Sequence, residues 1–181
     1  MYNNHTGGAR GADTYWDLIG REYGVTNHFH YWYKKPNPKS LPEHEISEDD
    51  YNEGVEKIHI ANKTLKRNGI EKYMYLLARN WIQVKNADSI YAISTIKNKK
   101  VSGGTGWACQ MAIDSDKELY VFDQNKEQWY YWNNGFVVCT TPKLTKNYAG
   151  IGSRDINESG INAIRNVYIK TFKESKLNRN D

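Results

Sequence analysis

Two hydrophobic periods alternate along the chain: short apolar runs of strand length, and longer stretches in which apolar residues recur every three or four positions. After a glycine turn, Tyr15, Trp16, Ile19 and Tyr23 fall on one helical face, and Gly24 ends that helix. The segment from Val25 to Tyr33, with its aromatic and β-branched residues, predicts a strand. Three prolines between Lys34 and Pro42 predict a loop there, and a mobile flap. Ser47, followed by Glu48, Asp49 and Asp50, offers a hydroxyl cap and an acidic first turn. Val55, Ile58, Ala61 and Leu65 carry that helix to a stop at Asn68-Gly69. A second long helix is expected over about Ile70 to Lys85, with Tyr73, Leu76, Leu77, Trp81 and Val84 on one side.

The remainder repeats a strand, turn and helix order. Ser89 to Ile96 predicts a strand, a lysine loop follows, and a glycine cluster opens a helix from Trp107 to Ile113. Leu119 to Phe122 predicts another strand, and Gln128–Trp132 with Phe136–Thr140 a hairpin around Asn133-Asn134-Gly135. Asn147 to Ile151 predicts the last strand. It leads into a helix marked by Ile161, Ile164, Val167, Tyr168 and Phe172, for which Asp155 and Glu158 form a capping pair. This alternation predicts an α/β fold, Rossmann-like, with a mostly parallel sheet and helices on both faces; 181 residues fit one domain.

Composition narrows the function classes. A 39% apolar fraction is low, yet 14 Tyr and 6 Trp return much buried area per side chain, so disorder is not expected. The 25 basic and 21 acidic residues are interspersed, which argues against a nucleic-acid footprint. The run Lys97-Asn98-Lys99-Lys100 reads either as a solvated loop or as help for an anionic ligand. Cys109 and Cys139 have no CxxC partner, so neither a zinc knuckle nor a disulfide framework is expected. No signal peptide and no apolar run of roughly 20 residues is present, which leads us to expect a soluble cytoplasmic protein without a membrane partner.

Three turns share one design. They are Thr6-Gly7-Gly8-Ala9-Arg10 with Asp13 close behind, Ser102-Gly103-Gly104-Thr105-Gly106-Trp107, and Gly150-Ile151-Gly152-Ser153-Arg154. Glycine lets the backbone approach a ligand closely, and the free amides of a following helix attract phosphate or carboxylate oxygens. At the carboxyl ends of parallel strands the three would meet in the crevice where open α/β sheets bind ligands. Arg10 and Arg154 each sit in such a turn and are expected to converge on one anion. Arg79, Asn80 and Gln83 form one polar stripe, either reaching a ribose or base edge or lying in solvent. Trp107 and Tyr15 suit either base stacking or the core. His28 and His30, two apart on a strand, point to one face, but no third ligand is marked and no metal site is predicted. Cys109 stands near a helix N-terminus, which would lower its thiol pKa, yet it has no catalytic partners in view. No cofactor is predicted.

The segments TGGARGAD, SGGTGWACQ and YAGIGSR resemble the signature turns of the superfamily that unites the DNA-processing protein A and Lonely Guy folds, known as SLOG. Most members carry the YAGIGSR-like element first; here it comes last, so the chain resembles the circularly permuted, YpsA-related branch found in bacteria and phages and once labelled a molybdenum-cofactor carrier. The resemblance extends to NKTLKRN, LLARNWIQVKNAD and YVFDQ. It implies binding of a nucleotide-derived small molecule, such as an ADP-ribose derivative or a cyclic nucleotide immune signal, for sensing or for sequestration by a phage. It also implies homodimers or higher homo-oligomers. The alternatives it implies are a phosphoribohydrolase and a molybdenum-cofactor carrier. Lonely Guy enzymes place a threonine and a glutamate where this chain has Trp107 and Gln110, and an amide cannot replace the carboxylate in glycosidic cleavage. Asp13 or Asp123 would have to substitute.

Overall fold

The predicted strands lie side by side. The computed structural model describes residues 1–177, with side chains up to 173. Five strands run parallel: β1 (Asn3–Thr6), β2 (Asn27–His30), β3 (Ser89–Ser94), β6 (Glu118–Asp123) and β9 (Asn147–Gly152). The hairpin β7 (Gln128–Trp132) and β8 (Phe136–Cys139) extends the sheet antiparallel, giving the order β2-β1-β9-β3-β6-β7-β8. A separate small hairpin, β4 (Ile96–Lys97) with β5 (Lys100–Val101), occupies the expected lysine loop. The strand that comes last in the chain therefore stands at the centre of the sheet, paired with β1 on one side and β3 on the other.

Strands buried on both faces need a helical layer on each side. Helices α1 (Ala12–Glu22) and α5 (Glu158–Leu177) cover one face. There Trp16, Tyr91, Tyr148 and Tyr168 form a core, with Trp16 Nε1 donating to Ile151 O (3.1 Å) and Tyr168 Oη to Trp16 O (2.7 Å). The other face carries α2 (Glu48–Leu65), α3 (Met74–Asn86) and α4 (Thr105–Asp114), joined by Ile58, Trp81, Trp107, Met111 and the strand residues between them. The α/β, Rossmann-like expectation holds.

Local signals were met with three corrections. Ser47 caps α2 as expected, accepting from Asp50 N (3.1 Å), but the helix ends at Leu65, because Lys66 turns left-handed and Asn62 clasps both backbone groups of Arg67. Residues Ile70–Tyr73 then form a 3₁₀ turn before α3 begins. The start of α5 is capped by Asn157, whose Oδ1 accepts from Gly160 N (3.0 Å), and not by the Asp155–Glu158 pair. Asn157 is the residue whose side chain reaches the first free amides. The proline loop is pinned at three points: Asn37 Nδ2 donates to Gly7 O (2.6 Å), Trp32 Nε1 to Leu41 O (3.0 Å), and Lys39 O lies 3.3 Å from His30 Nδ1. No helix among the described residues is long and apolar enough to cross a membrane.

Candidate functional site

The turns after β1, β9 and β3 leave the sheet on the same edge, at neighbouring strands. Between them and the start of α3 lies a cleft of about 490 Å³. Of the residues singled out in the sequence, Ala9, Asp13, Arg79, Asn80 and Gln83 line it, as do Ser102, Gly103, Gly104, Thr105 and Trp107, and Gly152, Ser153 and Arg154. Its wall toward α3 is apolar, from Ile70, Tyr73, Leu76 and Leu77. One side therefore suits an anion and the other a flat, less polar group.

Six expected residues lie outside the cleft lining, for packing reasons. Gly7 and Gly8 form a joint: a Cβ on Gly7 would meet the Arg79 guanidinium at 2.6 Å, and one on Gly8 the His30 ring at 2.8 Å. Gly150 is glycine because a Cβ there would meet the Trp16 ring at 2.6 Å, and Gly106 because Val101 O stands 2.2 Å from any Cβ there. Thr6 ends β1, fully buried. Arg10 is exposed on the turn and is not among the residues that line the cleft with Arg154. The third arginine pointing at the site is one the sequence reading passed over. Arg67, in the NKTLKRN segment, lines the cleft, donates to Gly103 O (2.7 Å) and Val101 O (2.9 Å), and lies 5.5 Å from the Trp107 ring. Its partners are more than 30 positions away, and no local pattern announces them.

Arg79 is not on a solvated helix face. It is buried, and Nη1 donates to Gly7 O (2.9 Å) and Tyr31 O (2.7 Å), while Nε has no partner among the described residues. Burial lowers its pKa; Asp13 opposes that effect and Arg154 adds to it. Asp13, at the start of α1, accepts from Ala9 N (3.1 Å). Burial pushes its carboxyl up to about 6, although the Ala9 amide, Arg79 and the Thr6 hydroxyl act the other way. Among the described residues it is the one acidic side chain lining a cleft that holds three arginines.

The remaining chemical candidates stand elsewhere. Gln110 donates to Asp114 Oδ1 (2.9 Å) and faces a separate groove behind the glycine loop, which it shares with Lys99 and Lys100. Asp123 is consumed by the amides of Ile96, Asn125 and Lys126. Cys109 is buried, and desolvation drives its thiol up to about 12, outweighing the helix N-terminus expected to lower it. His28 Nδ1 and His30 Nε2 lie 2.9 and 2.5 Å from the two oxygens of Asp17. Burial disfavours the Asp17 carboxylate, but the two histidines prevail and hold its pKa below the usual range; the same contact raises that of His30 against its own burial.

What the fold and cleft define is a Rossmann-like α/β protein with an arginine-rich crevice at the carboxyl edge of its sheet. No family model, curated protein or solved structure matches the chain.

Proposed function

We propose that this protein binds an anionic, nucleotide-derived small molecule in the cleft, and senses or sequesters it without turning it over. The observation that carries the reading is Arg79, a buried guanidinium whose Nε has no hydrogen-bond partner among the described residues, beside Arg154 and Arg67. Burying a cation costs several kcal/mol; Asp13 offsets part of that cost, and an anion arriving in the cleft offsets more. The open Gly103-Gly104 backbone at the start of α4 adds amide donors, and Tyr73 with Leu76 supplies a surface for a base. The resemblance to the permuted SLOG branch supports the same ligand class, ADP-ribose derivatives or cyclic nucleotide signals. Calorimetry against a panel of AMP, ADP-ribose and cyclic dinucleotides tests it. Affinities no tighter than about millimolar for every member would end the proposal.

A hydrolase reading draws on one observation, the cleft carboxyl of Asp13 with its pKa near neutrality. Against it stand Gln110, which faces away, and Asp123, which is fully engaged. Chromatography of AMP and ADP-ribose after incubation separates the two: released base or ribose phosphate, lost in Asp13→Asn, would make the protein an enzyme.

A further inference from the structure

Asp13 is an odd residue to find in an anion-binding cleft, because an ionised carboxylate there would repel the ligand that the arginines attract. Its surroundings resolve the conflict. Ala9 N donates to Oδ2, the Thr6 hydroxyl acts on the same carboxyl, and the side chain lines the cleft. The charged groups that act on it come from two other elements and its own helix: Arg79 from α3, His30 from β2, and Asp17 from α1; Arg154 follows β9 and acts on Arg79. Burial outweighs the cations and lifts the carboxyl to about 6 in the empty cleft, within reach of protonation. A second negative charge brought alongside can only push the carboxyl further the same way.

We propose that Asp13 holds the anion as a neutral carboxylic acid, donating its proton in a hydrogen bond to a ligand oxygen, so that the cleft takes up a proton as it captures its ligand. This rests on the ligand class proposed above and adds a residue role and a linkage to it. The acid then works as a hydrogen-bond donor, which an ionised carboxylate cannot do. Specificity follows. A ligand presenting an anionic oxygen at Asp13 gains a short contact, whereas one presenting a hydroxyl there gains only an ordinary one.

ADP-ribose is a suitable probe because its phosphates stay ionised throughout the range tested. Calorimetry of the parent in two buffers of different ionisation enthalpy should reveal net proton uptake. Affinity should fall about tenfold per pH unit above about pH 6. Asn offers an amide donor in place of the acid and keeps an acceptor for Ala9, so Asp13→Asn should bind at about pH 8 as tightly as the parent binds at about pH 5, with no slope between. A slope retained in Asp13→Asn would assign the linkage to His30 and overturn the inference. So would an Asp13→Asn variant that binds more weakly at every pH without proton uptake in the parent, since Asp13 would then be an ionised acceptor for a ligand hydroxyl. No binding at any pH would remove the proposed function itself, and this inference with it. Binding that is firm but independent of pH would remove this inference alone.

Discussion

The turn after β1 and the loop before α4 carry nearly the same glycine signature, yet the structure uses them in opposite ways. In the first, glycines make room for protein: Gly8 for the His30 ring, and Gly11, at φ 94°, for Ser153 O and Arg154 Cα, both 2.5 Å from where a Cβ would stand. The Gly11 contact locks two turns together, with Ala12 N donating to Ser153 O (3.0 Å). In the second, Gly103 and Gly104 have nothing within 4 Å of an added Cβ and lie exposed at the cleft. A glycine-rich turn thus marks a close approach without saying whether the neighbour is protein or ligand. Empty space beside the glycine is what separates the cases.

The sharpest way to break that comparison is to add one methyl group to each turn. Gly11→Ala forces a Cβ into backbone atoms at a left-handed φ and should cost roughly 3–5 kcal/mol in denaturant unfolding. Gly104→Ala fills open space at a helical φ and should stay within about 1 kcal/mol of the parent, on either side. Equal losses would mean the two turns are alike after all.

The Asp13 carboxyl gives the next largest effect. Its folded pKa of about 6 lies above the unfolded value, so its stabilising contribution is complete below about pH 3.8 and is lost as pH rises through about 6. The loss amounts to roughly 3 kcal/mol. Asp17, with its lowered pKa, acts in the other direction, losing its contribution as pH falls through its folded value. The difference between parent and Asp13→Asn isolates the first effect: the variant should gain on the parent as pH rises from about 4 to about 7. A constant difference across that range would refute it.

Arg10 and Arg154 extend the comparison to the side chains the turns carry. With ADP-ribose as ligand, Arg154→Ala should lose about 1.5–3 kcal/mol of binding. Arg10→Ala should change it by less than about 0.5 kcal/mol. Matching losses would return Arg10 to the site. The smallest effect belongs to a residue remote from both turns: Ser47→Ala removes the α2 cap, should cost about 1 kcal/mol of stability, and should leave ADP-ribose affinity unchanged.

Elements with strong periodicity or a local stop were legible in the sequence. β7 appears with its predicted bounds, β9 differs by one residue, and the Ser47 cap forms as read. Most of the cleft was legible too, since its turns are made of contiguous residues. What escaped depends on partners far along the chain. Arg67 became a site residue through carbonyls of the β5–α4 loop, and Arg79 became a buried cation through Gly7 and Tyr31. The i, i+2 spacing of His28 and His30 was visible, but the Asp17 that binds them belongs to a helix on the other side of a turn. Arg10 and Arg154 look equivalent in sequence and both are exposed, but of the two it is Arg154 that lines the cleft.

The central position of β9 has a consequence for how the molecule is made on the ribosome. When residues up to Cys139 have emerged, the chain holds two unjoined pieces of sheet, β2-β1 and β3-β6-β7-β8, and both inner edges await the same partner. Exposed edges recruit other chains, so this is the interval in which a nascent molecule is most prone to pair wrongly. Release comes in one step, when Asn147–Gly152 slots between β1 and β3 and closes both edges at once. Assembly of the sheet is therefore expected to be late and abrupt, with the Gly152-Ser153-Arg154 wall of the cleft arriving in the same event.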